Sequence, residues 1–158
     1  MSEVNIRDTG RNSARTADVR ELATKVQKPS DTEAITAANT ITAAESGTRF
    51  VINIAAAKIQ TLPTPAAGLE YWFYVGATEP TGTHTIVTAS SANIIVGNVS
   101  SPEDAAGSVA TVTDADTISL VASKAVHGDY AHVWSDGTNW YLDGACKVQD
   151  GITTTQAS

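Results

Sequence analysis

Cysteine, aromatic residues and long apolar runs are all scarce in this sequence. Cys146 is the only cysteine among 158 residues, which excludes an internal disulfide framework and any metal site built from several cysteines. No run approaches the roughly 18 uninterrupted apolar residues that a membrane-spanning helix needs, so we expect no membrane partner. The N-terminal segment lacks the apolar stretch of a secretory signal peptide, and we therefore expect synthesis and retention in the cytoplasm.

Catalytic and cofactor-binding motifs are also missing. The sequence contains no G-x-S-x-G elbow, H-E-x-x-H pair, Walker loop or dinucleotide-binding glycine pattern. His84, His127 and His132 stand apart from any recognised arrangement. Asp114 and Asp116 have the spacing that opens a calcium loop, but the glycine and terminal glutamate of an EF-hand do not follow. We therefore predict a protein that is not an enzyme and that has no cofactor and no metal site.

The net charge of −7 is unevenly distributed along the chain. Residues 1–28 hold six of the ten basic residues and four acidic ones, whereas residues 29–158 hold four bases and thirteen acids. An acidic surface repels a phosphate backbone, so we expect no nucleic-acid partner. The charge pattern indicates a basic arm attached to an acidic domain.

The arm is assigned to residues 1–32. Asp18 and Glu21 form a capping box, and Pro29 marks a stop, so a short helix is predicted at about 18–28. The apolar residues of this segment share one helical face: Val19, Leu22, Ala23 and Val26. The rest of the arm has almost no large apolar side chains and is expected to be extended and disordered in isolation.

The domain over residues 33–158 is predicted to be all-β. Short β-branched and aromatic runs alternate with Gly, Pro, Ser, Asn and Asp, which is typical of an antiparallel β-sandwich or barrel, here jelly-roll-like. No helix is predicted in this domain. The predicted strands lie near 34–43, 48–55, 58–62, 69–76, 83–89, 92–97, 108–113, 117–122, 130–135, 139–143 and 145–149.

Two aromatic segments, LEYWFYVG (69–76) and HVWSDGTNWYLDG (132–144), depart from the half-polar pattern of an ordinary antiparallel strand. Side chains alternate along a strand, so both segments place large rings on both faces. The second segment predicts a hairpin turn at Asp136 and Gly137, with Gly137 at positive φ.

One face of these strands is expected to lie in the core and the other to be covered by another subunit, because exposed apolar patches of this size mark contacts. The residues predicted to form this oligomer interface are Trp72, Tyr74, Tyr130, His132, Trp134 and Tyr141. A barrel whose central strands are buried on both sides within one chain is the alternative.

Three segments, IQTLPTPAAGLEYWFYVG, THTIVTASSANIIVG and VWSDGTNWYLDG, together resemble virion proteins of tailed bacteriophages. The similar proteins are the head decoration, or capsid cement, proteins and the related head-fibre and tail-fibre β-domains. The resemblance covers about residues 58–144. It implies a structural homotrimer at local threefold axes on the capsid exterior, with the major capsid protein as its partner, after synthesis in the bacterial host cytoplasm.

A small domain with a basic, partly helical arm suits a clamp on a shell better than a fibre shaft. We expect the arginines of the arm to pair with acidic shell residues and its apolar residues to fill a groove. The residues expected to bind the capsid are Arg7, Arg11, Arg15, Val19, Arg20, Leu22 and Val26.

The sequence is also compatible with two other functions. A tail-associated or head-fibre adhesin with a carbohydrate-binding β-domain would use Trp72, Trp134 and Trp140 as stacking platforms for sugar rings. A polysaccharide hydrolase would need paired carboxylates, for which Glu103 and Asp104 are the candidates.

Overall fold

The computed structural model describes residues 31–101 and 109–158. Thr32, the last residue of the predicted arm, belongs instead to the first strand. Residues 1–30, with the predicted helix and the predicted capsid-binding residues, and the pair Glu103 and Asp104 lie outside the described residues. The arm residues concerned are Arg7, Arg11, Arg15, Val19, Arg20, Leu22 and Val26.

The described residues form twelve strands and two single 3-10 turns. The turns lie at Ala43–Glu45 and Ala89–Ser91. The strands are β1 (Thr32–Ile35), β2 (Asn39–Thr40), β3 (Arg49–Ile52), β4 (Ile59–Thr61), β5 (Glu70–Val75), β6 (His84–Val87), β7 (Ile95–Ser100), β8 (Val109–Ala115), β9 (Thr117–Leu120), β10 (Tyr130–Ser135), β11 (Trp140–Ala145) and β12 (Ile152–Thr155).

Two mixed sheets contain these strands. The larger sheet has the order β1-β3-β5-β10-β11-β7-β8, and the smaller has the order β12-β9-β6-β4-β2. The mainly β prediction is confirmed, and two sheets are consistent with a β-sandwich. The antiparallel prediction is wrong, because five of the ten pairings between described strands are parallel. The jelly-roll description fails for the same reason, since jelly rolls are built from antiparallel Greek keys.

The parallel pairs result from the way in which the chain alternates between the sheets. Strands β1, β3 and β5 enter the larger sheet in turn, while β2, β4 and β6 enter the smaller one. The first six strands therefore wind as a coil with three turns, and each return to a sheet runs in the same direction as the strand before it. Most of the remaining pairings are antiparallel.

Three strand predictions require correction. The run 34–43 is divided into β1 and β2, because the chain turns at Ala37, whose carbonyl accepts a hydrogen bond from the buried side chain of Gln60 at 3.0 Å. The run 145–149 is mostly a turn, in which the Lys147 amide donates to the Asp129 carboxylate at 3.0 Å. Strand β12 was not predicted, since its ITTT sequence has only one large apolar residue.

Both sheets contribute side chains to one hydrophobic core. The rings of Phe50 and Phe73 stack at 5.3 Å, and those of Tyr71 and Trp140 lie 5.9 Å apart. The Tyr71 hydroxyl donates to the Thr42 carbonyl at 2.9 Å, so this buried polar group is satisfied. Burial, and secondarily the charge of a nearby glutamate, raises the pKa of Tyr71 to about 12. These rings join β3, β5 and β11 across the centre of the larger sheet.

Replacing the core tryptophan should destabilise the fold strongly. Trp140 has 0% exposure, so Trp140→Ala should lower the free energy of unfolding by about 3–5 kcal/mol. The matched variant Trp134→Ala should cost far less, because that ring is 42% exposed. Urea denaturation of the two variants measures the difference, and equal losses would contradict this placement of the rings.

A buried histidine connects the fold to pH. His84 has 1% exposure, and its Nε2 donates to the Ile54 carbonyl at 3.0 Å. Its Nδ1 has no hydrogen-bond partner among the described residues. Loss of water around the ring lowers the pKa of His84, and the bond to Ile54 opposes that shift only in part. The folded protein therefore favours the neutral imidazole.

This histidine should make the fold sensitive to acid. Because the pKa is lower in the folded state, the unfolded chain binds the proton more readily once the pH falls below about 6.5. The stability due to neutral His84 should be complete above that pH and be lost progressively below it. His84→Gln keeps a donor for Ile54 but cannot titrate, so its free energy of unfolding should change less between pH 7 and pH 5. If the free energies of unfolding of the wild-type protein and of His84→Gln change by the same amount between pH 7 and pH 5, this role of His84 is excluded.

Candidate functional site

The six residues predicted as an interface lie on one face of three adjacent strands of the larger sheet, β5, β10 and β11. Tyr130 is paired with Tyr74, His132 with Trp72, and Trp134 with Tyr141. Because side chains alternate along a strand, the intervening residues of β5, β10 and β11 point into the core. We call this surface the outer aromatic face; it consists of Trp72, Tyr74, Tyr130, His132, Trp134 and Tyr141.

Four of these rings form a tightly packed group. The rings of Trp72 and His132 stack with centroids 3.8 Å apart and planes 9° apart. Trp72, Tyr74 and Tyr130 have mutual centroid distances of 5.9 Å. The rings partly shield one another from water. Burial, and to a lesser extent the charge of the nearby Asp143 carboxylate, raises the pKa of Tyr130. The group forms a continuous apolar surface at the centre of the sheet.

The other two rings are positioned by the hairpin turn. Trp134 and Tyr141 stack at 4.3 Å with planes 14° apart. The Tyr141 hydroxyl donates to Asp136 Oδ2 at 2.9 Å, and Asp136 Oδ1 accepts from the amides of Thr138 and Asn139 at 2.8 and 2.9 Å. The turn therefore determines where this pair of rings lies, which explains why aromatic residues flank an Asp-Gly sequence.

These hydrogen bonds favour the ionised form of Asp136. The amides of Asn139 and Thr138, and then the Tyr141 hydroxyl, lower the pKa of Asp136. The same carboxylate raises the pKa of Tyr141. The turn itself needs Gly137, whose φ of +102° confirms the predicted positive value and whose amide donates to Ser135 Oγ at 3.0 Å.

Charged residues border the outer aromatic face. Glu70 directly opposes Trp134, and its carboxylate lies 3.6 Å from His132 Nε2, which is too long for a hydrogen bond. Asp143 opposes His132 on β11, and Arg49 lies on the neighbouring strand β3. The roles of Glu70 and Asp136 were not identified from the sequence, although the two-residue alternation with Trp72 indicates the face on which Glu70 lies.

Trp140 does not belong to this surface. It is fully buried, so the sequence-based hypothesis that it acts as a sugar platform is wrong. Within residues 31–101 and 109–158, no three His, Cys, Asp or Glu side chains are placed to hold a metal ion. In the same ranges, no helix is long and apolar enough to span a bilayer. The outer aromatic face is the candidate site because six rings lie together on adjacent strands, and its chemistry is that of contact and stacking.

Comparison with known proteins gives no family assignment. No protein-family model, curated protein or solved structure matches this chain.

Removing one hydroxyl tests how the turn holds its rings. Tyr141→Phe deletes the donor to Asp136 Oδ2, so the ionised carboxylate loses a stabilising bond and the pKa of Asp136 should rise toward its ordinary value. Titration of the Asp136 carboxyl carbon by NMR measures this shift. Tyr130→Phe, which removes a hydroxyl elsewhere on the outer aromatic face, is the control and should leave the pKa of Asp136 unchanged. An unchanged pKa for Asp136 in Tyr141→Phe would mean that the hydroxyl bond does not form.

Proposed function

We propose that this protein is a structural virion protein that binds the outside of a tailed-phage capsid as a homotrimer and stabilises the shell. The outer aromatic face is the observation that carries the proposal. Six aromatic and imidazole rings lie together on adjacent strands, and contiguous apolar patches of this kind mark contacts between proteins. The resemblance of residues 58–144 to decoration and head-fibre proteins favours a homotrimer on a capsid as the kind of assembly.

The composition of the face supports a protein partner. Interface cores are enriched in tyrosine and tryptophan and depleted of lysine. Three of the face residues are tyrosines and two are tryptophans, and each lysine of the described residues lies outside β5, β10 and β11. A second copy of the chain is the proposed occupant of the four-ring group of Trp72, Tyr74, Tyr130 and His132, and the separately stacked pair Trp134 and Tyr141 lies beside this contact.

A threefold assembly also suits attachment to a shell. Each trimer would carry three basic arms, and simultaneous binding by several weak arms gives high avidity. We propose that the arm is an extended, partly helical segment that contacts the major capsid protein, and that the domain beginning with β1 is a β-sandwich on the capsid exterior. The proposal includes no nucleic-acid or membrane partner, no catalysis and no cofactor. The protein would be made in the host cytoplasm before assembly.

Placing a charge on the outer aromatic face should prevent trimer formation. Tyr74→Glu buries a carboxylate in the proposed contact, so its mass should fall from three times the 16.4 kDa chain mass to that of one chain. Ile59→Glu is the matched control, because Ile59 is a 54% exposed apolar residue on the smaller sheet.

Light scattering after size-exclusion chromatography measures both masses, and circular dichroism checks that each variant is folded. A stable trimer contact should bury on the order of 1,000 Å² or more. A monomeric wild-type protein at micromolar concentration would contradict self-assembly in solution. A trimer that survives Tyr74→Glu would place the contact elsewhere.

Deleting residues 1–28 tests the proposed arm. The truncated protein should keep its melting temperature, because the sequence of residues 1–28 contains almost no core-forming side chains, yet its binding to undecorated capsids should be greatly weakened. Charge reversal at Arg11 and Arg15 should cause a smaller loss that shrinks as salt is added, since exposed charges are screened over about 10 Å at 0.1 M. Co-sedimentation with capsids measures both effects. Undiminished binding by the truncated protein would assign attachment to the β domain.

A further inference from the structure

Trp134 differs from the other two tryptophans in how much of its ring is accessible. Trp140 is fully buried, and His132 stacks on Trp72 at 3.8 Å. Trp134 is 42% exposed, although Tyr141 stacks on it at 4.3 Å. On the other side, the residue paired with Trp134 is Glu70, whose side chain is acidic and not aromatic. The indole therefore keeps apolar surface that no other ring of the face covers.

We propose that Trp134, together with Glu70 and Tyr141, forms a subsite for an uncharged pyranose ring of a glycan. A pyranose ring has an apolar face of C–H groups and a rim of hydroxyls. The C–H face would lie against the exposed indole, since a flat aromatic ring is a rigid apolar surface with a water-exposed edge. This function goes beyond attachment to a shell and does not depend on the arm.

Glu70 supplies the polar part of the subsite. Its side chain is 52% exposed, and its carboxylate is 3.6 Å from His132 Nε2, beyond hydrogen-bond distance. Because more than half of the side chain is exposed, the carboxylate keeps acceptor capacity for a sugar hydroxyl beside the indole, even though Oε2 lies within ion-pair distance of His132. A hydrogen bond to a charged acceptor is stronger than one between neutral groups, so Glu70 would orient the sugar on the ring.

The subsite is organised before a ligand arrives. The ring of Tyr141 stacks on one face of the indole, and its hydroxyl is held by a 2.9 Å hydrogen bond to Asp136. Asp136 is in turn held by the Thr138 and Asn139 amides. Asp136 is therefore a positioning residue. A platform that is already rigid loses little conformational entropy on binding, which helps an open surface to retain a small ligand.

Charge restricts the ligand to neutral sugars. The carboxylates of Glu70, Asp136 and Asp143 all lie on β5, on β11 or in the turn beside the rings, whereas Arg49 lies on β3, which β5 separates from the strand of Trp134. An acidic sugar would be repelled by these groups, whereas hydroxyls donate to them. We therefore expect neutral polysaccharides to bind in preference to uronic or sialic acids.

A microarray of bacterial surface polysaccharides, with neutral and acidic glycans printed side by side, tests the subsite with the full-length protein. The wild-type protein should bind neutral glycans, and Trp134→Ala should lose at least tenfold in affinity. Trp134→Phe should retain part of the binding because it keeps an aromatic plate, and Glu70→Gln should weaken it. Ile59→Ala is the control for loss of an exposed apolar side chain and should bind normally.

Mass and melting temperature are measured on every variant, so that failure of the subsite can be distinguished from failure of the proposed assembly. A trimer whose neutral-glycan binding is lost in Trp134→Ala supports the subsite, and a monomer that shows the same loss supports it while contradicting the trimer. Absence of any glycan binding by the wild-type protein overturns the subsite. Unchanged binding by Trp134→Ala, or a preference for acidic glycans, overturns it as well.

Discussion

The alternation of side chains along β5 and β10 is the constraint on which the architecture of this protein depends. On β5 it sends Tyr71 and Phe73 into the core and Trp72 to the opposite side. On β10 it buries Val133 and leaves Trp134 exposed. Because both strands have large apolar residues at successive positions, the stability of the core and the presence of an outer aromatic face are two results of the same geometry.

The winding of the chain places that face at the centre of the larger sheet. The coil formed by β1 to β6 makes β5 the last of three parallel strands, and β10 then pairs with it from the other side. The rings therefore lie on interior strands whose hydrogen bonds are satisfied on both edges. Interior strands hold their side chains in fixed register, so the rings form a stable surface for contact.

The sequence predicts which side chains share one face of a strand better than it predicts which strands pair and in which direction. Period-two alternation correctly placed Tyr130, His132 and Trp134 on one face of β10, and the Asp-Gly pair correctly predicted the positive φ of Gly137. Pairing direction could not be predicted, because it depends on contacts between segments far apart in the chain. The hydrogen bond from Tyr141 to Asp136 was also missed, since local spacing does not show where a side chain turns.

The central claim is that other chains cover the four-ring group, and hydroxyl-radical footprinting of the native protein by mass spectrometry tests it ring by ring. If copies of the chain pack on this surface, Trp72 and Tyr74 should be oxidised about as slowly as the fully buried Trp140, while Trp134 should be oxidised rapidly. If Trp72 and Tyr74 are oxidised much faster than Trp140, at rates typical of half-buried rings, the surface is open to solvent and the account is contradicted.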